Sequence, residues 1–285
     1  MVARAMVESL QSRTIKRVLI ALGVLFLLFW SLFPIYWVLV TALKNSQEIY
    51  AFPPTFWPAA PTFENFNAIL FESNFPLFIR NSAIVAVSVT LLSTIVAALA
   101  AYPIARLKFH GRAWVARSIV VSYLLPPSLL FIPLFVVLQR LGLVDTKLGL
   151  VLAYLSFTVP FCAWMLIGYF RTIPVELDES ARIDGASRLQ TLRHVVIPVA
   201  LPGLSVVALF AFTHAWNEFL YALVYVYSNS AKTFTAGLTS LIMGDVFVWG
   251  QLMAASIIAI IPILLIYLVA QRYLVEGLAA GSVKQ

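Results

Sequence analysis

The sequence predicts an all-α, polytopic membrane protein with six transmembrane helices, and three observations carry this prediction. Of the 285 residues, 62% are hydrophobic and 11% are charged, whereas a soluble domain has roughly 25% charged residues. The apolar residues gather into six runs close to the roughly 20 residues that cross a bilayer. Basic residues lie mainly between these runs. Because an unpaired charge is costly in lipid, the pattern indicates that the bilayer is the solvent.

The six predicted spans are residues 18–43, 81–105, 118–138, 148–170, 203–224 and 252–270. The first run is too long for the apolar region of a signal peptide and no small-residue cleavage pattern follows it, so we expect it to be retained. No connection is long enough to fold around a core of its own. Residues 1–285 are therefore predicted to form a single transmembrane domain, with proline-rich residues 45–80 as an ordered cap on the membrane surface.

The basic residues orient this predicted domain. The net charge of +7 could indicate nucleic-acid binding, but the 19 lysines and arginines divide 14 to 5 between the two sides of the predicted membrane. Excess positive charge marks the cytoplasmic side. Both termini are therefore predicted to be cytoplasmic, and membrane lipid rather than nucleic acid is the expected partner. The opposite side carries Lys44, Arg80, Arg140, Lys147 and Lys232.

Prolines interrupt two of the spans. Pro126 and Pro127 fall in the third run and Pro160 in the fourth. Proline removes a backbone donor and kinks a helix, which lipid tolerates only where neighbouring groups or a water-filled cavity satisfy the freed carbonyls. An ordinary packing kink is the simpler interpretation. The alternative is a bent helix that lines a path. The single cysteine, Cys162, cannot form an intrachain disulfide and is interpreted as a small core residue.

Residues 171–202 form the longest connection on the predicted cytoplasmic side and read as two short helices. Gly185 suits the left-handed stop of the first helix, and Ser187 with Gln190 forms a candidate capping box for the second. Pro198 limits the second helix before the fifth span. A short helical pair that protrudes from a membrane is better explained as a docking element than as a plain linker. The first helix begins with Pro174, Glu176, Asp178 and Glu179, which suit its positive end, and Ile173, Leu177 and Ala181 share one face.

Four polar or aromatic residues of the fifth span are candidates for a substrate path. The residues follow an i, i+3, i+4, i+7 pattern, which places them on one helix face; they are His214, Asn217, Glu218 and Tyr221. Ionisable residues inside a span mark functional sites by default. Asn, Glu and an aromatic ring suit a neutral sugar, which offers hydroxyls and apolar ring faces. The face could equally pack against another helix, with Glu218 and His214 paired to each other.

Nothing in the sequence indicates an enzyme or a bound cofactor. There is no G-x-x-x-x-G-K-[ST] phosphate loop, no metal-ligand spacing and no nucleophile elbow or catalytic triad. If ATP drives this protein, the ATPase is therefore a separate chain. One hypothesis for the ionisable residues of the fifth span is an ion-coupled secondary transporter, with Glu218 and His214 as a proton relay.

The helical loop resembles the EAA loop of binding-protein-dependent ABC importer permeases, whose motif is EAA, three residues, Gly, nine residues and I-x-L-P. Here Glu179-Ser180-Ala181 stands for EAA, with Ser180 as one departure. Three residues, the last of them Asp184, separate Ala181 from Gly185, as the motif requires. Nine residues later, Val195-Val196-Ile197-Pro198 stands for I-x-L-P.

Three other segments resemble the six-span carbohydrate permeases similar to the maltose-transporter subunit. They are Phe52-Pro53-Pro54-Thr55 with Asn65-Phe66, Trp216-Asn217-Glu218-Phe219-Leu220, and residues 277–284 at the C-terminus. The resemblance implies the type I importer permease fold in the cell membrane, and import of a carbohydrate by alternating access. It also implies a heterodimer with a second permease, two ATP-binding subunits and an extracytoplasmic sugar-binding protein.

In that family the EAA helix fits the ATPase. The resemblance therefore assigns ATPase coupling to six residues, which are Glu179, Ser180, Ala181, Asp184, Gly185 and Pro198. A polyol or glycerol phosphate remains an alternative substrate.

Overall fold

Helices form nearly all of the regular structure in the computed structural model, which describes residues 2–243 and 246–282, and the side chains of residues 15–242 and 247–271. The predicted C-terminal resemblance at 277–284 and four of the counted basic residues, Arg4, Arg13, Arg272 and Lys284, lie outside the described side chains. The first seven helices are α1 (Val2–Ala42), α2 (Ser46–Ile49), α3 (Glu64–Phe71), α4 (Phe75–Arg106), α5 (Arg112–Leu124), α6 (Pro127–Arg140) and α7 (Lys147–Phe170).

The second half of the chain is divided into shorter pieces. After α8 (Glu176–Ile183), α9 (Arg188–Thr191) continues through a π-helical turn, Leu192–Val196, into α10 (Ile197–Val199). The remaining helices are α11 (Leu201–Trp216), α12 (Leu220–Tyr225), α13 (Phe234–Gly237), a 3₁₀ turn at Leu238–Leu241, and α14 (Trp249–Ser282). Ile242–Met243 and Val246–Phe247 are short strands.

Four helices within the described residues are long and apolar enough to cross a bilayer, namely Ile15–Ala42, Phe75–Arg106, Lys147–Phe170 and Trp249–Gln271. Two helix pairs meet the same criteria only together, because each is sharply bent. The bend is 97° between α5 and α6 and 84° between Arg188–Val199 and α11. If each bent pair counts as one span, the number reaches the six that the sequence predicts.

The chain divides into two compact units, and the first combines Met1–Glu72 with Gly244–Ile258. Within it, the segment after α1 is held by hydrogen bonds. The Glu48 carboxylate accepts from the Thr55 hydroxyl at 2.7 Å and from the Ala59 amide at 2.9 Å. These hydrogen bonds hold the pKa of Glu48 below its ordinary value. The proline-rich segment is therefore ordered, while its position on the membrane surface stays a prediction.

The second unit combines Ser73–Met243 with Ala259–Gln285, and its core lies where α4, α7 and α11 meet. Small side chains let these helices approach closely, as is usual in membranes. A hydroxyl pair, Ser93 on α4 and Thr158 on α7, joins two of the helices at 2.7 Å. Cys162 is fully buried in this core, as the sequence predicts. The small residues of the cluster include Ala97, Ala98, Ala101, Ala163 and Ala211.

Candidate functional site

The loop between α7 and α11 has the helix–turn–helix form that the sequence predicts. α8 ends at Ile183 with Asp184 as its C-cap, and Gly185 adopts a left-handed conformation with φ of +85°. The Ala186 amide then donates to the Ala181 carbonyl at 2.9 Å. At the start of the next helix, Ser187 and the Gln190 side chain form a reciprocal capping box. The helix stop at Gly185 and the capping box of Ser187 and Gln190, both predicted from the sequence, are therefore confirmed.

The second helix of the loop is longer and less regular than expected. It runs through the π-helical turn into α10, and Pro198 lies inside α10 rather than after the helix. Proline has no amide to donate, and the helix ends at the next residue, Val199, with the 84° bend into α11 at its cap, Ala200. Pro198 thus marks the approach to the bend, and its side chain is exposed.

Most of the six residues predicted to contact an ATPase lie on the surface. Ala181 is half-buried, and the other five are exposed. The predicted apolar face is only partly buried, because Ile173 is 6% exposed but Leu177 is 38% exposed. Sequence reasoning missed two large apolar side chains on the same surface, Ile183 and Leu189, which are 86% and 64% exposed. Their only sequence signal is an apolar residue type outside a predicted span.

Asp178 is a buried acid, and no sequence pattern predicted its burial. It is the one buried side chain of α8. Its carboxylate accepts a hydrogen bond from the Tyr102 hydroxyl at 3.1 Å and lies 3.1 Å from Nε of Arg106. Tyr102 and Arg106 both belong to α4. The expectation that Asp178 simply favours the positive end of α8 is therefore incomplete.

The predicted polar face of the fifth span does not exist as one continuous helix. α11 ends at Trp216, and Asn217–Phe219 form a break before α12. The Thr213 carbonyl accepts from both the amide and the side chain of Asn217, at 3.1 and 2.9 Å. The two Glu218 oxygens accept from the amides of Tyr221 and Ala222, at 3.0 and 3.1 Å. Glu218 is thus bound to the first amides of α12. His214 lines the same cleft, and a pairing of the two side chains stays a prediction.

Three of the four predicted path residues nevertheless line one cleft. The cleft has a volume of about 400 Å³ and is lined by Phe210, Thr213, His214, Asn217, Glu218 and Phe219. Tyr221 does not line it. Tyr221 is buried, and its hydroxyl donates to the Pro127 carbonyl at 2.7 Å. Because α12 is a separate helix, Tyr221 faces α6 instead of continuing the polar stripe of α11.

A second cleft of about 340 Å³ lies at the bend between α5 and α6. It shares Phe210 and His214 with the first cleft, so the two are neighbours. The bend contains Pro126 and Pro127, and the simpler interpretation as an ordinary packing kink does not account for a 97° change of direction. Sequence reasoning missed the aromatic residues of the wall. The other lining residues are Tyr123, Leu124, Leu125, Phe157 and Phe161.

The loop before α7 holds the far end of α12. Oδ1 of Asp145 accepts from the amides of Tyr227 and Ser228, at 3.0 and 2.9 Å. Burial raises the pKa of Asp145, but these hydrogen bonds and the charge of Lys232 more than offset it, so the pKa lies below its ordinary value. The stabilisation is therefore present above the unfolded pKa and is lost as pH falls through the folded pKa.

Comparison with known families identifies the chain. Residues 90–279 match the family described as "Binding-protein-dependent transport system inner membrane component". The chain belongs to this family. It is accordingly a multi-pass membrane protein and the permease subunit of an ABC importer, in which separate subunits hydrolyse ATP.

Relatives align along most of the chain. The "Inner membrane ABC transporter permease protein YcjP" of Escherichia coli K12 is 34% identical over 95% of this permease and 98% of the relative. The "Trehalose/maltose transport system permease protein MalG" of Thermococcus litoralis is also 34% identical, over 96% of this permease and 99% of its own length. The "Diacetylchitobiose uptake system permease protein DasC" of Streptomyces coelicolor is 34% identical over 88% of this permease and 91% of its own length.

A solved structure supports the fold of this permease. A chain of a bacterial ABC transporter involved in import of the acidic polysaccharide alginate superposes with a TM-score of 0.80. The match covers 92% of this permease and 98% of that chain, at 22% identity. The type I importer permease fold that the resemblance implied is therefore the observed fold.

Proposed function

We propose that this permease imports a carbohydrate and forms half of the translocation path, with the two adjoining clefts as its lining. The observation that carries the proposal is the composition of the clefts. The aromatic rings of Phe157, Phe161 and Phe210 can stack on the apolar faces of a sugar ring. The side chains of Asn217 and Glu218 can bond its hydroxyls. The relatives named for trehalose, maltose and diacetylchitobiose support the same substrate class.

The lining also bears on the alternative substrates. None of the residues that line the two clefts is a lysine or an arginine. A phosphate group is normally bound by such basic side chains or by backbone amides, so the lining favours a neutral sugar or polyol over glycerol phosphate. The two residues of the proton-relay hypothesis, His214 and Glu218, line the same cleft, while both Glu218 oxygens accept from amides of α12. The transport measurement below separates this hypothesis from ATP-driven import.

We further propose that the permease works in a complex with a second permease, two ATP-binding subunits and an extracytoplasmic sugar-binding protein. The exposed residues Glu179, Ser180, Asp184, Gly185 and Pro198, with half-buried Ala181, would contact an ATPase subunit. Support comes from the motif spacing and from exposed Ile183 and Leu189 beside it, since a surface with large apolar side chains outside the spans favours protein docking. Both termini and this loop would be cytoplasmic.

The test measures uptake of labelled sugars by the complete complex in proteoliposomes with ATP inside. We expect Glu218→Gln and Asn217→Ala to lower the uptake rate roughly 2- to 10-fold, because the first replaces an acceptor oxygen with an amide NH2 and the second removes a side-chain amide from the lining. The complex should still assemble. Glu72→Gln and Asn67→Ala are matched controls, because both residues are exposed and line neither cleft.

The same preparation separates the rival functions. Uptake should depend on ATP and persist when a protonophore is added at constant ATP. Unchanged uptake by both cleft variants would assign the break to packing alone. Uptake of glycerol phosphate in preference to any sugar or polyol would contradict the proposed substrate class.

A further inference from the structure

Helix α4 is fixed at one end to the docking loop by a buried ion pair. Arg106 is the last residue of α4, and Asp178 lies in the first turn of α8. Their side chains are 7% and 10% exposed and 3.1 Å apart. A cation at a helix C-terminus and an anion at a helix N-terminus are each favoured by the backbone dipoles. Asp178 is the only buried side chain of α8, and it joins α8 to α4 through Tyr102 and Arg106.

The opposite end of α4 is also fixed by side-chain hydrogen bonds. Nδ2 of Asn81 donates to the carbonyls of Lys232 and Asn229, at 2.9 and 3.3 Å. Oγ of Ser82 accepts from the Phe234 amide at 2.9 Å. Asn81 and Ser82 are buried, so removing either group leaves unpaired backbone partners in an apolar environment.

The segment held by Asn81 and Ser82 contacts the break in the fifth span directly. The Thr235 hydroxyl donates to the Glu218 carbonyl at 2.6 Å. Glu218 lines the cleft and binds the amides of α12. A continuous series of contacts therefore joins Asp178, α4, the residues around Phe234 and the break.

The body of α4 between these contacts is suited to transmit a displacement. It is one helix from Phe75 to Arg106 that contains Pro103 in its last turn, and the stretch from Ser82 to Arg106 spans about 36 Å at 1.5 Å per residue. Its buried face packs on α7 and α11. A closely packed helix moves as a unit rather than deforming continuously.

We propose that α4 is the coupling rod of this permease: Arg106 and Asp178 transfer the movement of the docking loop to α4, and Asn81 and Ser82 transfer it to the break at Glu218. The inference rests on the proposed docking of the loop to an ATPase. These four residues are positioning residues, since they act on the path through other groups.

The test compares solute transported with ATP hydrolysed by the complete complex in proteoliposomes. We expect Asp178→Asn and Asn81→Ala to leave assembly and ATP hydrolysis in place while the solute moved per ATP falls about tenfold, within the range of ordinary coupling free energies. The charge exchange Arg106→Asp with Asp178→Arg should recover part of the loss relative to either single change. Arg117→Gln, an exposed arginine that contacts Trp114, is the matched control and should keep the wild-type ratio.

The proposal would be overturned if Asp178→Asn and Asn81→Ala both kept the wild-type ratio of solute moved per ATP. It would also be overturned if the charge exchange performed no better than Arg106→Asp or Asp178→Arg alone. If Asp178→Asn fails to assemble, Asn81→Ala decides the question, because it lies at the far end of α4 from the loop. Docking is tested separately by Gly185→Val. If Gly185→Val loses the ATPase subunit while the α4 variants keep the wild-type ratio of solute moved per ATP, coupling through α4 is contradicted and the docking of the loop is supported.

Discussion

At the scale of single residues, the turn at Gly185 depends on backbone conformation and not on space. A Cβ atom added at Gly185 would meet no atom within 4 Å, but its φ is +85°. An ordinary side chain in this left-handed region costs about 1–2 kcal/mol, whereas Asn adopts it more readily. The permease alone therefore provides room for a side chain, and any steric exclusion at this position must come from a partner.

We expect Gly185→Val to weaken association of the ATPase subunits with the complex, because it strains the turn that orients the docking surface. Membrane insertion and pairing with the second permease should be unchanged, since no span contacts the new side chain. Co-purification of the subunits and the solute-stimulated ATPase rate are the measurements. Gly185→Asn is the matched variant and should retain most of the association. A Gly185→Val complex with full subunits and unchanged stimulated hydrolysis would contradict the docking assignment.

At the scale of elements, α11 is defined by the bend before it and by the break after it. Near its start, Gly203 packs on the Tyr169 ring of α7, and a Cβ atom at this position would lie 2.5 Å from that ring. This close contact fixes α11 against α7 just after the 84° bend. The opposite end is fixed by the contacts of Asn217 and Glu218. The position of α11 therefore depends on its two ends as well as on its apolar surface.

Gly203→Val should destabilise the permease by about 1–3 kcal/mol, because the added atoms overpack the contact with Tyr169. A lower thermal unfolding midpoint in detergent is the readout. The comparison is Gly168→Ala, in which a helical glycine with no atom within 4 Å of the added Cβ is replaced. We expect that change to be neutral or stabilising by about 0.5–1 kcal/mol. Equal midpoints for the two variants would show that the Gly203 contact is not tight.

At the scale of the whole molecule, the six predicted spans and the 14-to-5 division of basic residues predict the orientation of the permease. We expect single cysteines at Leu189 and Ser230, in a Cys162→Ala background, to react with an impermeant thiol reagent from opposite sides of the membrane. Leu189 and Ser230 are both exposed. Ser187 is avoided as a labelling position, because its hydroxyl caps α9. In the permease expressed without its ATPase subunits, which would cover Leu189, this position should be protected in intact cells and react after permeabilisation. Reaction of both positions from outside would reject the predicted orientation.

The sequence was sufficient wherever the cause of a structure is local. Runs of about 20 apolar residues predicted six crossings, since the bilayer demands that length. Gly185 and the Ser187–Gln190 pair predicted a helix stop and a capping box, since these motifs involve neighbours a few residues apart. The motif spacing of the loop indicated the family for the same reason.

Only the tertiary structure decided the features that depend on distant residues. The fifth span carries no proline or glycine near its break, so its pattern predicted one helix through Asn217 and Glu218. The break is instead held by long-range contacts, such as the Thr235 hydroxyl on the Glu218 carbonyl. The pairing of Arg106 with Asp178 likewise joins residues far apart in sequence. No local pattern encodes such a pair, because which charges meet is settled by how the helices pack.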